Sequence, residues 1–89
     1  MNGLKYIRTQ CNLSLNNVAQ ALGVSRQIVS AWENGKKDIP NERRKQLSKY
    51  FGIDTDYFNE IDEVQKKEIL GTAMYRWNQN GNEFFFIQT

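Results

Sequence analysis

The sequence of 89 residues contains no histidine, one cysteine and one proline. With no histidine and a single thiol, it can assemble neither a zinc site of cysteines and histidines nor an intrachain disulfide. The most common general base of enzymes is also missing, and no candidate nucleophile lies in a strand-to-helix elbow or a glycine-rich phosphate loop. The composition therefore predicts a protein that is not an enzyme and that binds no metal and no cofactor.

Long hydrophobic runs are absent as well, so no segment of the sequence is long enough to span a membrane. The first residues, Met1 to Tyr6, lack the basic start and apolar stretch of a secretory signal peptide. We therefore expect a cytoplasmic protein that does not interact with membranes. A chain this short supports one modest core, and dimerisation is a natural way to bury additional apolar surface.

Charge is unevenly distributed along the chain. Residues 1–53 carry nine Lys or Arg against three Asp or Glu, whereas residues 54–89 carry three against seven. A basic half is expected where a protein meets phosphates, although two ordinary solvated surfaces of opposite sign would give the same counts. The asymmetry alone favours DNA binding only slightly.

Apolar residues recur at helical spacing through the first two thirds of the chain. They predict helices over about 2–11, 15–22, 25–34 and 40–51, then a short helical turn over 54–58. The third helix is expected to bury Ile28, Val29 and Trp32, the fourth Leu47, Tyr50 and Phe51, and the turn Tyr57 and Phe58. Cys11 lies four residues from both Ile7 and Leu15, which predicts a buried free thiol.

The most informative stretch is a pair of short helices joined by a tight turn. Ser14 and Ser25 are good N-caps for the two helices, and Gly23 between them can adopt the left-handed conformation that ends a helix. This geometry lets the second helix lie in a DNA major groove. The pattern resembles the helix-turn-helix of phage repressors, Cro proteins and the xenobiotic-response-element family, from about Leu4 to Phe58.

The resemblance implies a mainly α, five-helix lambda-repressor-like domain over residues 1–58 that binds double-stranded DNA. It also implies that Arg26, Gln27 and Ser30 read base edges from the start of the third helix. The chemistry suits that role, because Arg matches the acceptors of guanine and Gln can pair bidentately with adenine. For an isolated helix, the simpler interpretation would be polar residues in an exposed first turn.

Phosphate contacts are expected from the edges of this surface. The candidates are Asn16 and Asn17 at the start of the second helix, Asn34, Lys36 and Lys37 after the third, and Arg43 near the start of the fourth. Charges at the last position are as often a solvated helix face. Trp32 and Glu33 are interpreted as structural, with Glu33 pairing with a base such as Arg8.

Residues 59–89 are predicted to form a separate C-terminal extension. Asn59 can cap a helix through Ile61, Val64 and Leu70 that stops at Gly71. Two aromatic runs then flank the Asn80-Gly81 pair, which favours a β-hairpin; a competing interpretation extends the helix through Met74 and Trp77. The extension is a candidate dimerisation element through its large apolar residues, which are Met74, Tyr75, Trp77, Phe84, Phe85, Phe86 and Ile87.

The leading functional hypothesis is a sequence-specific transcriptional regulator, a repressor of phage or mobile-element type that binds a palindromic operator as a homodimer. The alternative is an antitoxin or other protein-interaction module that uses the same fold to neutralise a partner protein.

Overall fold

Six helical segments make up the described part of the chain. The structure is a computed structural model that describes the backbone of residues 2–79 and the side chains of residues 2–71. The segments are α1 (Gly3–Gln10), α2 (Leu15–Leu22), α3 (Arg26–Glu33), α4 (Asn41–Phe51), a 3-10 helix (Thr55–Phe58) and α5 (Glu63–Gln79). The mainly α fold expected from the sequence is confirmed.

Local capping signals fix the ends of the first helices. Ser14 and Ser25 accept hydrogen bonds from the backbone amides of Asn17 and Ile28, so each hydroxyl satisfies a donor that its helix leaves unpaired. Gly23 and Gly52 end α2 and α4 in the left-handed conformation, each with a φ of 71°. The roles of Ser14, Gly23 and Ser25 were predicted from the sequence, and the predicted bounds of α2 and α4 are confirmed within a residue.

A single hydrophobic core is shared by all six segments. Its buried members are Leu4, Ile7, Cys11, Val18, Ala19, Leu22, Val29, Trp32, Ile39, Leu47, Phe51, Ile53, Phe58, Ile61 and Ile69. The predicted burial of Tyr50 is wrong, because Tyr50 is 37% exposed, and Ile28 and Tyr57 are only partly buried. Val64, an apolar residue of the predicted last helix, is 65% exposed. Ile69, which the sequence analysis did not single out, takes the buried position on α5 instead.

Cys11 is buried at the end of α1, as predicted. The residue is 2% exposed, and burial raises the pKa of Cys11 to about 12 because a thiolate in this apolar surrounding would lose its hydration.

The start of α5 differs from the prediction. Asn59 does not cap it, because the helix begins only at Glu63. The Asn59 side chain donates to the Asp56 carbonyl at 3.4 Å, and its own carbonyl accepts from the Gly3 amide at 2.7 Å. Asp62 caps the helix instead, since its carboxylate accepts from the Gln65 amide at 2.8 Å while the Gln65 side chain accepts from the Asp62 amide at 3.0 Å.

The end of α5 also differs. The helix runs through Gly71 to Gln79, so the predicted stop at Gly71 is wrong, and the segment assigned to the first hairpin strand, from residue 72 to 79, is helical. The competing interpretation, a continued helix, holds for this stretch. The Asn80-Gly81 turn and the second aromatic run lie outside the described residues. No helix in the described part of the chain has both the length and the apolar character needed to cross a membrane.

Trp32 anchors α3 in this core, with 4% of its surface exposed. We expect Trp32→Ala to lower the free energy of unfolding by about 3–5 kcal/mol, because the truncation leaves a cavity that the neighbours fill only in part. Urea unfolding followed by circular dichroism measures this. Val64→Ala, at an exposed position, is the control and should change stability by no more than about 0.5 kcal/mol. A Trp32→Ala variant with wild-type stability and reduced DNA affinity would make Trp32 a contact residue instead.

Candidate nucleic-acid interface

The N-terminal turn of α3 presents its polar side chains outward. Arg26 and Gln27 are exposed, and Ser30 is half-buried one turn further along. The opposite side of the helix is fixed in the core by Val29 and Trp32, which are 0% and 4% exposed. The amphipathic pattern therefore sets the rotation of α3 about its own axis, and that rotation determines which side chains can reach a ligand.

Six residues line one shallow depression on this side of the molecule, and we call them the reading face. They are Arg26, Gln27, Ser30, Ala31, Asn34 and Lys36. The Asn34 amide donates to the Ser30 hydroxyl at 3.3 Å, which joins the helix to the loop that follows it. All three predicted base-reading residues and two of the phosphate candidates thus lie together. Because the Ala31 side chain is small, a ligand can approach the floor of this depression closely.

The loop after α3 is shaped by backbone hydrogen bonds. Gly35 has a φ of 73°, and the amides of Gly35 and Lys36 donate to the carbonyls of Trp32 and Ala31 at 3.3 and 2.9 Å. This turn exposes the ammonium groups of Lys36 and Lys37. Lys37 does not join the reading face; it lines a separate depression with Arg44 and Glu60.

The start of α2 uses one of its two asparagines for capping. The Asn17 side-chain oxygen accepts from both the amide and the hydroxyl of Ser14, at 2.8 and 2.9 Å. Sequence reasoning assigned Ser14 the cap but missed this reciprocal partner, although Asn three residues after Ser is a variant of the capping-box pattern. Asn16 is exposed beside it. The backbone amides here carry the positive end of the α2 dipole.

Arg43 has a structural contact that the sequence did not reveal. Its guanidinium donates to the Leu22 carbonyl at 3.0 Å and to the Gln46 side chain at 2.8 Å. The cation therefore lies at the C-terminal end of α2, where the helix dipole is negative. This bond ties α4 to the turn between α2 and α3.

An ion pair supports α3 from behind. Arg8 on α1 donates from Nε and Nη2 to the two carboxylate oxygens of Glu33 at 2.6 and 3.0 Å, and from Nη1 to the Leu13 carbonyl at 2.9 Å. The two side chains are 12% and 5% exposed. The predicted partnership of Glu33 with Arg8 is confirmed.

This capped pair of helices, with a polar first turn on the second, is the helix-turn-helix arrangement of a DNA-binding protein. The chain belongs to the helix-turn-helix family, whose model matches residues 4–58, and this match supports the Cro-like resemblance noted in the sequence. Within the described residues, no group of three or more His, Cys, Asp and Glu side chains is arranged to hold a metal ion.

Two curated relatives share this part of the chain. A protein of Methanocaldococcus jannaschii, named as an uncharacterized HTH-type transcriptional regulator, is 42% identical over 52 residues, which are 58% of this chain and 79% of that protein. The HTH-type transcriptional activator BcrR of Enterococcus faecalis is 40% identical over 53 residues, 60% of this chain. The chain spans only 26% of the length of that activator. No solved structure matches the chain significantly.

Two substitutions test whether Arg26 reads a base and Lys36 binds phosphate. Arg26→Ala is expected to weaken binding to the preferred site by about 1–3 kcal/mol and to relax selectivity at one base pair, because Arg can pair with one guanine. Lys36→Ala should weaken binding to all DNA and reduce the slope of log affinity against log salt by about one. Fluorescence anisotropy with matched and mismatched duplexes over a salt series measures both. Equal, sequence-independent losses from the two variants would contradict the assigned roles.

The ion pair behind α3 gives a stability prediction. Arg8→Met should lower the free energy of unfolding by about 3–5 kcal/mol, since it leaves the buried Glu33 carboxylate without its cation. The double variant Arg8→Met with Glu33→Met removes both charges and should recover much of that loss. Denaturant unfolding of both variants measures the difference. An Arg8→Met protein as stable as the wild type would show that the pair contributes little.

Proposed function

We propose that this chain is a sequence-specific transcriptional regulator that reads an operator in the major groove with the N-terminal turns of α3. The observation that carries the proposal is the reading face: Arg26, Gln27 and Ser30 lie side by side on a helix whose other side is fixed in the core. Membership of the helix-turn-helix family supports the same conclusion.

Base reading is assigned to the donors and acceptors of the reading face. The planar fork of Arg26 matches the O6 and N7 acceptors of one guanine, and the amide of Gln27 matches N6 and N7 of one adenine. Ser30 can donate to or accept from either type of base. One α3 helix then reads only a few base pairs.

Phosphate binding is assigned to the margins of that surface. Asn16 and Asn17 lie at the positive end of the α2 dipole, and Lys36 and Lys37 follow α3 in an exposed turn. Asn34, in the same turn, donates to the Ser30 hydroxyl and so links this turn to α3. Arg43 is assigned a supporting role, because its guanidinium is already engaged by the Leu22 carbonyl. These contacts fix the position of the domain on the duplex without selecting sequence.

Specific regulation calls for two copies of this surface. Two recognition helices about 34 Å apart read two half-sites one helical turn apart, and a twofold pair matches a palindromic operator. We assign the pairing to the C-terminal part of the chain, where the sequence concentrates Met74, Tyr75, Trp77, Phe84, Phe85, Phe86 and Ile87. Two such copies would bury apolar surface that one small domain cannot cover.

The regulatory outcome that we propose is repression by occupancy, as in regulators of phage or mobile-element type. Blocking a promoter needs only the DNA-reading surface, whereas activation needs a further contact with the transcription machinery. One relative is named as an activator, but its match covers a quarter of its length, so that name does not decide the outcome for this chain.

Selection of bound duplexes from a random pool by the full chain tests the proposal. We expect an inverted repeat whose half-sites lie about one helical turn apart. The full chain should sediment as a dimer, and replacing Phe84, Phe85 and Phe86 by Ser should yield monomers, while Val64→Ser, at an exposed apolar position, should not. A promoter overlapping the selected sequence should lose transcription when the protein is added.

Three results would contradict separate parts of this proposal. If the bound duplexes share no sequence, the proposed base reading by α3 is wrong. A full-length monomer at high concentration, with one selected half-site, would remove the dimer. Increased transcription from the overlapping promoter would replace repression by activation.

A further inference from the structure

The Asn2 side chain bonds to two helices at once. Its Oδ1 accepts from the Lys5 amide at 3.0 Å and so caps α1, while its Nδ2 donates to the Trp32 carbonyl at 3.2 Å, thirty residues away in the sequence. The acceptor belongs to the last turn of α3. An ordinary N-cap uses only the oxygen of such a side chain, so the amide nitrogen provides a second, long-range connection.

The Trp32 carbonyl is the same one that shapes the loop after α3. It also accepts from the amide of Gly35, the residue with positive φ that directs the chain toward Lys36. Asn2 therefore bonds to the group that closes this turn. A shift of Asn2 would move the turn that carries the Lys36 ammonium, and with it one edge of the reading face.

The backbone around Asn2 is held in turn by the chain that leads into α5. The Gly3 amide donates to the Asn59 carbonyl at 2.7 Å, and Asn2 forms an antiparallel bridge with Glu60. A Cβ atom at position 3 would lie 1.8 Å from the Tyr57 carbonyl oxygen. Only glycine allows the two backbones to come this close, so residues 2–3 are in direct contact with the segment that precedes α5.

Further contacts hold α5 to the same part of the molecule. The Tyr57 hydroxyl donates to the Glu68 carboxylate at 2.7 Å, and the Lys66 ammonium lies 5.7 Å from the centre of the Tyr6 ring on α1. Ile69 on α5 is buried in the hydrophobic core. The position of α5 is thus fixed to α1 and to the 3-10 helix, and Asn2 extends this assembly to the end of α3.

We propose that Asn2 is a positioning residue that fixes the C-terminal end of the recognition helix, and the turn after it, relative to α5. This inference rests in part on the proposed pairing of two copies through the C-terminal part of the chain. In such a pair, the angle between α3 and α5 within each copy sets the separation and direction of the two α3 helices. Asn2 would then determine how strictly the pair selects the spacing of its half-sites.

Asn2→Ser and Asn2→Asp test the role of the amide nitrogen. Both replacements are good N-caps, so α1 keeps its cap. The Ser hydroxyl lies one bond closer to the backbone than the Asn2 amide nitrogen, so its O–H falls short of the Trp32 carbonyl. Asp has no donor at neutral pH and places a carboxylate oxygen next to that carbonyl. Thr9→Ala is the matched control, because the Thr9 hydroxyl donates to the carbonyls of Lys5 and Tyr6 within its own helix, α1.

The first measurement is amide hydrogen exchange in the free full-length chain. We expect the Gly35 and Lys36 amides to exchange about threefold to tenfold faster in Asn2→Ser, and faster still in Asn2→Asp, as the loss of one hydrogen bond implies. The Val18 amide in α2 should be unchanged, and Thr9→Ala should change none of the three. Unchanged exchange at Gly35 and Lys36 in both Asn2 variants would overturn the proposal.

The second measurement is affinity for two half-sites whose separation is varied by single base pairs. The wild type should prefer one spacing. In Asn2→Ser, the ratio of the affinity for that spacing to the affinity for the neighbouring spacings should fall by about threefold to tenfold, while the affinity for a single half-site is unchanged. A uniform loss at every spacing would indicate a merely structural role and would overturn the coupling to α5. A wild type indifferent to spacing would contradict the proposed dimer, whereas the exchange measurement would still test Asn2.

Discussion

The ion pair between Arg8 and Glu33 is the interaction on which the rest of the structure depends. One guanidinium uses Nε, Nη1 and Nη2 to join α1, the end of α3 and the Leu13 carbonyl that precedes α2. Neither charge could be buried alone, because an unpaired ion in this surrounding would lose most of its hydration. Lysine could not replace the arginine, since a single ammonium lacks the fork that reaches three acceptors. The pair therefore holds three segments together at the C-terminal end of α3 and leaves the polar side chains in the first turn of that helix exposed.

Much of the fold was predictable because its signals are local. Ser14, Gly23, Ser25 and Gly52 each act within one turn of a helix, so their effects can be deduced from neighbouring residues. The base-reading candidates were predictable for a related reason. The apolar spacing of Val29 and Trp32 fixes which side of α3 is buried, and the polar residues of its first turn must then face outward. Whether they read bases is still a prediction.

The remaining features depend on contacts between segments far apart in the sequence. Asn59 looks like a cap, but the bond from the Gly3 amide to its carbonyl belongs to an extended segment that precedes the helix, and Asp62 is the residue that caps α5. Gly71 looks like a stop, yet a glycine in an exposed helical position costs only about 1 kcal/mol, which a continuing helix can offset. No local pattern indicates that the guanidinium of Arg43 bonds to Leu22, or that the amide of Asn2 bonds to Trp32.

The burial of Cys11 has a consequence for how a regulator of this kind responds to oxidants. Peroxides and disulfides react with the thiolate, not the thiol. Because burial raises the pKa of Cys11 to about 12, the group is a neutral thiol at neutral pH, and the residue is covered by the core. The described domain therefore carries no redox-sensitive thiol close to α2 or α3. Oxidation of Cys11 would first require the end of α1 to open, so this thiol cannot pass a change in redox conditions to α2 or α3 while the core is intact.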